Sequence, residues 1–239
     1  MANRLSDARE PWNLMNFLHE WDLPPREAVS LQRRLALDVL LKPIPSHFEV
    51  IAAADVGYVA SAERLVAAIV TFSWPDMQPV ESASGVYPIT FPYIPGLLSF
   101  REIPPLLEVF QKLRRPPDVL LCDGQGLAHP RAFGLACHLG LWLGIPTVGC
   151  AKKLLCGKHE PLEPQRGQSR PLILGDRTVG FVFRSRDGVK PLYISPGHLA
   201  DLDTSLGIIR RCLGRYRIPE PLRQAHHLAT QMRKTLIPV

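Results

Sequence analysis

The chain has 239 residues, 46% of them hydrophobic and 21% charged, with a formal net charge of +6 at pH 7. That usage excludes an intrinsically disordered chain, and no apolar run approaches the ~20 residues that cross a bilayer, so a single domain around one sizeable core and no membrane partner are expected. The basic balance suits a polyanionic partner without requiring one.

Met1 to Glu10 carries Arg4, Asp7, Arg9 and Glu10 and has no apolar core of a secretory signal. The five cysteines (Cys122, Cys137, Cys150, Cys156 and Cys212) are odd in number and form no C-x-x-C pair. Free thiols in a reducing compartment, the cytoplasm, are the expectation.

A first helical segment is predicted around Pro11 to Trp21, and a second from Pro25 to about Leu41, ended by Pro43 and Pro45. Three strands follow at Phe48 to Val59, Arg64 to Ser73 and Met77 to Tyr87, with short links that predict an antiparallel meander. Phe100 to Arg114 reads as a helix with Pro104 and Pro105 near its start. Asp118 to Cys122 is a short buried strand, Pro130 to Leu143 a helix, and Pro146 to Ala151 another strand, which together make a parallel β-α-β unit. A hairpin is predicted at Pro171 to Leu174 and Thr178 to Arg184, then a strand at Pro191 to Ile194. A last helix starts near Asp201 or Asp203 and carries Leu202, Leu206, Ile209 and Leu213. Residues 1–45 thus read as N-terminal helices, 46–217 as the core and 218–239 as a peripheral tail. A meander followed by helix, strand, helix, strand is the element order of a ribonuclease-H-like mixed sheet flanked by helices.

Several residues stand out chemically. Asp55 interrupts the apolar run from Val50, where a carboxylate is costly unless paired or metal-bound; an edge position facing water is the plainer alternative. Asp123 ends a strand and precedes Gly124, at the point where parallel sheets handle ligands, or else simply forms an Asp-Gly turn. Two carboxylates on neighbouring strands can supply Mg²⁺ with oxygen ligands. Glu102 can add a third or complete a capping box with Ser99. His198 can bind metal or act as a base, or be an ordinary loop histidine. His129 lies close to the Asp123 loop, within reach of a phosphate. Lys152 can stabilise developing negative charge or be solvated at a strand end. Pro92, Tyr93, Ile94, Pro95 and Gly96 make a stiff loop presenting an aromatic and an aliphatic side chain, suited to wedging between bases or to a plain proline-rich turn.

Taken in order, Ala54-Asp55-Val56-Gly57-Tyr58, the run Pro92 to Glu102, the run Asp123 to Arg131, Gly149 to Lys153 and Ser195-Pro-Gly-His198 make the sequence resemble the endonuclease V family over roughly Phe48 to Leu213. The resemblance implies a ribonuclease-H-like fold. It implies metal-binding and catalytic roles for Asp55, Glu102, Asp123 and His198, and an active-site role for Lys152. It implies a strand-separating wedge at Pro92 to Pro95, with Gly96 and Gly124 near a base pocket. The implied activity is DNA repair: hydrolysis of the second phosphodiester 3′ of hypoxanthine, dependent on Mg²⁺ with Mn²⁺ as substitute, on DNA containing deaminated bases. Inosine-containing RNA as substrate and a non-catalytic damaged-DNA-binding module are the rivals. Two positions depart from the family pattern: Gly57 stands where Ser is common, and Leu199 follows His198 where Arg is frequent.

Overall fold

The structure, a computed structural model, describes residues 17–236. Most of the predicted helix at Pro11 to Trp21 lies outside the described residues; its last part, Phe17 to Trp21, is not helical. Helix α1 spans Pro25–Leu35, with Pro25 in its first turn and Ala28, Leu31 and Leu35 buried. It tightens into a 3-10 turn at Ala36–Asp38 rather than running on to Leu41. Val39 is already extended, and the Leu40 carbonyl accepts from the Leu199 amide at 2.8 Å, a bond that pulls the segment out of the helix.

The meander forms as expected: β1 (Val50–Val59), β2 (Arg64–Ser73) and β3 (Pro79–Pro88) pair antiparallel. Helix α2 (Leu98–Phe110), β4 (Val119–Cys122), α3 (Leu135–Leu143) and β5 (Thr147–Ala151) supply the parallel half. β6 (Ser169–Leu174), β7 (Arg177–Phe183) and β8 (Leu192–Pro196) complete one mixed eight-stranded sheet in the order β3-β2-β1-β4-β5-β8-β7-β6. Two further helices close the chain, α4 (Leu202–Arg211), capped by Asp201, and α5 (Glu220–Lys234). The sheet separates two apolar layers. α2 and α3 pack on Ala52, Ala54, Leu120 and Cys122; α4 and the start of α5 pack on Ile51, Ala53, Val119 and Leu121.

Three expectations need correction. α2 begins earlier than predicted, so Pro104 and Pro105 sit in mid-helix, where each lacks a backbone donor, and Pro105 is buried. α3 begins at Leu135 rather than Pro130, because Gly134 is extended and packs against the Gln125 carbonyl, where a Cβ would approach to 2.3 Å. The stretch 218–239 is not peripheral through its described part: α5 lays Leu222, Ala225 and Ala229 onto β1 and β2.

Candidate active site

β1 and β4 are parallel neighbours with Ala54 opposite Cys122, so the next residues, Asp55 and Asp123, emerge side by side at the carboxyl ends of the two strands. Strand alternation decides their direction. Ile51 and Ala53 face the α4/α5 layer, so Asp55 faces it too; Leu121 does likewise for Asp123. Helix α5 meets them there. His226 Nδ1 lies 3.0 Å from Asp55 Oδ2, and ligand atoms of Asp55, Asp123 and His226 all fall within 4.8 Å of one another. Lys152, one residue past β5, forms an ion pair with Asp123. Glu102 reaches the groove from α2, and Gly57, Tyr58, Thr230 and Arg233 complete its lining.

Charge is in surplus here. Asp55 is only 8% exposed, and burial, followed by repulsion from Asp123, raises its pKa; Lys152 and His226 oppose that rise. Glu102 keeps some surface open to the groove, but its carboxyl is enclosed. Burial and then the two aspartates push its pKa well up, against a smaller opposing pull from Arg101. Three crowded carboxyl groups face a single lysine ion pair. A divalent cation fits this donor set: oxygen-rich, with one imidazole, and short of positive charge.

A second concavity adjoins the groove along α2 and the β4–α3 loop. It is lined by Tyr93, Ile94, Pro95, Gly96, Gln125 and His129, among others. Tyr93 is 67% exposed at the rim. Gly96 has φ +81°, which a side chain would strain, and its carbonyl accepts from Gln32 Nε2 at 3.1 Å, Arg131 at 2.6 Å and His129 Nε2 at 3.1 Å. Gln32 Oε1 in turn accepts from Arg131 Nε at 2.6 Å. His129 donates through Nε2 and accepts the Arg131 amide at Nδ1, a pattern only the neutral ring can satisfy; burial, then Arg131, lowers its pKa to about 4. Three donors thus hold the Gly96 carbonyl and this part of the wall.

The structure therefore gathers Asp55, Glu102, Asp123 and Lys152 in one groove and Pro95, Tyr93, Ile94, Gly96 and His129 around the adjoining pocket. Pro92 precedes that rim. Gly124 lies one residue before the lining residue Gln125, packed near Leu135. His198 is the exception. β8 runs antiparallel to β5, with Tyr193 opposite Ala151 and Pro196 opposite Val148, so a residue just past β8 is carried to the opposite end of the strands from the carboxylates. There the His198 amide donates to Thr147 Oγ1, and its ring Nδ1 accepts from the Leu40 amide. The groove histidine is His226, which sequence reasoning left in the tail. Its signals were Pro219 and Pro221 at a helix start and Leu222, Ala225 and Ala229 at helical spacing.

A family model described as Endonuclease V matches residues 31–227. The chain belongs to the endonuclease V family. The Endonuclease V of Nostoc punctiforme is 45% identical over 213 residues, covering 89% of this chain and 96% of that one. The solved Endonuclease V of Streptomyces avermitilis superimposes with a TM-score of 0.85 at 38% identity, covering 90% and 96% of the two chains. That of Ciona intestinalis, solved with a 23mer DNA containing an inosine followed by a ribo-adenosine, gives 0.79 at 26% identity over 89% and 98%. The matched segment of this endonuclease V family member holds every groove residue from Asp55 to His226 but ends before Thr230 and Arg233.

Proposed function

We propose that this endonuclease V family member is a divalent-metal-dependent DNA repair nuclease. It cuts the second phosphodiester 3′ of hypoxanthine and leaves the base in place. The observation that carries the reading is the convergence of Asp55, Asp123 and His226 beside a preformed, stiff-rimmed pocket. The Ciona relative's complex with inosine-containing DNA supports the substrate class.

Asp55, Asp123 and His226 would hold Mg²⁺ or Mn²⁺, with Glu102 beside them. Such a cation supplies charge neutralisation at the phosphoryl group and acidification of the attacking water. Lys152, held by Asp123, places a positive charge where the transition state gains negative charge. The pocket takes the extruded base. Because the Gly96 carbonyl already has three donors, hydrogen bonding to a base edge from this residue comes from its N–H. Tyr93 fills the gap left in the stack. His129, neutral and tied to Gly96, holds the wall rather than a phosphate.

The test is strand cleavage of a duplex holding one deoxyinosine, with Mg²⁺ and with EDTA. A metal-dependent nick at the second bond 3′ of the lesion is the expected result; folded protein that cuts with neither Mg²⁺ nor Mn²⁺ overturns the reading. The ribo-adenosine in the Ciona complex favours a second reading, cleavage of inosine-containing RNA, which the same assay with riboinosine decides.

A further inference from the structure

We propose that Arg233, on the last turn of α5, together with Thr230, grips a backbone phosphate of the nucleic acid on the side of the groove opposite the base pocket, and that the missing Cβ at Gly57 makes room for it. The inference rests on the nuclease reading for its substrate but not for its geometry.

α5 presents His226, Ala229, Thr230 and Arg233 at i, i+3, i+4 and i+7, one stripe of a helix, and all four line the carboxylate groove. His226 turns to Asp55 and Ala229 buries on β1 and β2. That leaves a hydroxyl and a guanidinium along the outer half of the stripe. Arg233 makes no hydrogen bond or ion pair through its side chain among the described residues, and its Nε is buried with no partner. A buried, unpaired guanidinium N–H is costly unless a ligand meets it.

The position is enforced from the strand. Gly57 shares the strand face of Asp55, and a Cβ there would come within 2.6 Å of Arg233 Cδ. With Gly57 as it stands, the arginine stem has room against β1 beside the groove. The base pocket opens on the α2/α3 face of the sheet, and α5 lies on the opposite face. A strand whose extruded base sits in that pocket and whose backbone crosses the carboxylates must leave along α5. An unpaired arginine beside a threonine suits a phosphate oxygen, through charge-assisted hydrogen bonds.

The test compares wild type with R233Q, R233K and G57A. Readouts are KM and kcat on deoxyinosine duplex and the salt dependence of affinity for the same duplex without the lesion, with thermal unfolding as a control. R233Q should raise KM about tenfold with a smaller change in kcat, and lower the slope of log affinity against log salt by about one. R233K should recover most of the loss. G57A should weaken binding in the wild-type background and add nothing in R233Q. Wild-type KM and slope in folded R233Q overturn the proposal, as does a G57A effect that persists in full without the arginine. If R233Q does not fold, R233K and G57A decide alone. Absence of inosine cutting by wild type would sink the nuclease reading, and the salt slope on plain duplex would still answer for Arg233.

Discussion

The two concavities at the carboxyl ends of β1 and β4 differ in how their polar groups are satisfied. Around the base pocket the groups that hold the Gly96 loop are paired: the Gly96 carbonyl takes three donors, Gln32 bridges two segments, and His129 is locked as one neutral tautomer, while the buried Gln125 Oε1 has no partner among the described residues. In the groove beside it, Asp55, Asp123 and Glu102 crowd together with raised pKa values for two of them and one lysine among them. On the proposed reading, the first would hold a shape for a neutral base, and the second would be completed by a cation and a phosphate.

The sharpest way to break that contrast is to neutralise the groove. D55N and D123N should each lower cleavage by about a thousandfold or more, since they remove ligands on which the chemistry depends. In metal-free buffer the same changes should leave the thermal midpoint equal or higher, because they relieve repulsion at Asp55. Near-normal turnover, or a large fall in the midpoint, would mean that these carboxylates serve the fold.

The two histidines come next. H226A should cut activity by about a hundredfold with little loss of stability, since the His226 side chain is half exposed. H198A should do the reverse: activity within about threefold, and a stability cost of about 1–2 kcal/mol for the Leu40 amide left without its acceptor. Steady-state cleavage and denaturant melts on both variants separate these outcomes; an inactive, stable H198A would restore the sequence-based assignment.

That pair also marks how far the sequence could be read. Strand and helix order through α4 was legible because apolar runs and Pro/Gly breaks carry it, and Asp55 and Asp123 stood out because a carboxylate ending an apolar run has few structural uses. His198 misled because Ser195-Pro-Gly-His198 sits in a matched motif, and a motif gives no strand direction; only the antiparallel pairing of β5 and β8 shows that it points away. α5 was missed because half the residues it buries are alanines, which make a weak apolar stripe. Gln32 was passed over as one polar residue in a helix. Its importance lies in contacts to Gly96, Phe133 and Arg131, which are distant in the chain.

On the pocket side, Q32A should loosen a wall that is otherwise preset. Leaving Arg131 Nε and the Phe133 carbonyl without their partner should cost about 1–3 kcal/mol and raise KM for deoxyinosine duplex about tenfold, while salt-dependent affinity for undamaged duplex stays unchanged. An equal loss on both DNAs would mean that Gln32 supports the fold generally and not the base pocket.

The smallest effect is a pH dependence of folding, which also belongs to the satisfied side of the molecule. His19 donates from Nδ1 to the Glu20 carbonyl at 2.7 Å. His138 Nε2 lies 2.8 Å from His19 Nε2, and Ser99 Oγ, at the pocket, is 3.0 Å from His138 Nδ1. With both rings neutral the chain of bonds closes, His138 donating to His19 and accepting from Ser99. Burial lowers both pKa values, His138 well below the usual 6.5, with the neighbouring His19 adding to it. A depressed folded-state pKa means the unfolded chain binds the proton first. The contribution is therefore whole above pH 6.5 and is lost as pH falls towards the folded value. For His138 the loss should run at about 1.4 kcal/mol per pH unit. Denaturant midpoints between pH 8 and pH 5 should fall on the acid side. H138L should flatten that fall while lowering stability at pH 8, where Ser99 and His19 lose their partner. An unchanged slope in H138L would place the acid sensitivity elsewhere, with His129, whose neutral ring holds Gly96, as the next group to test.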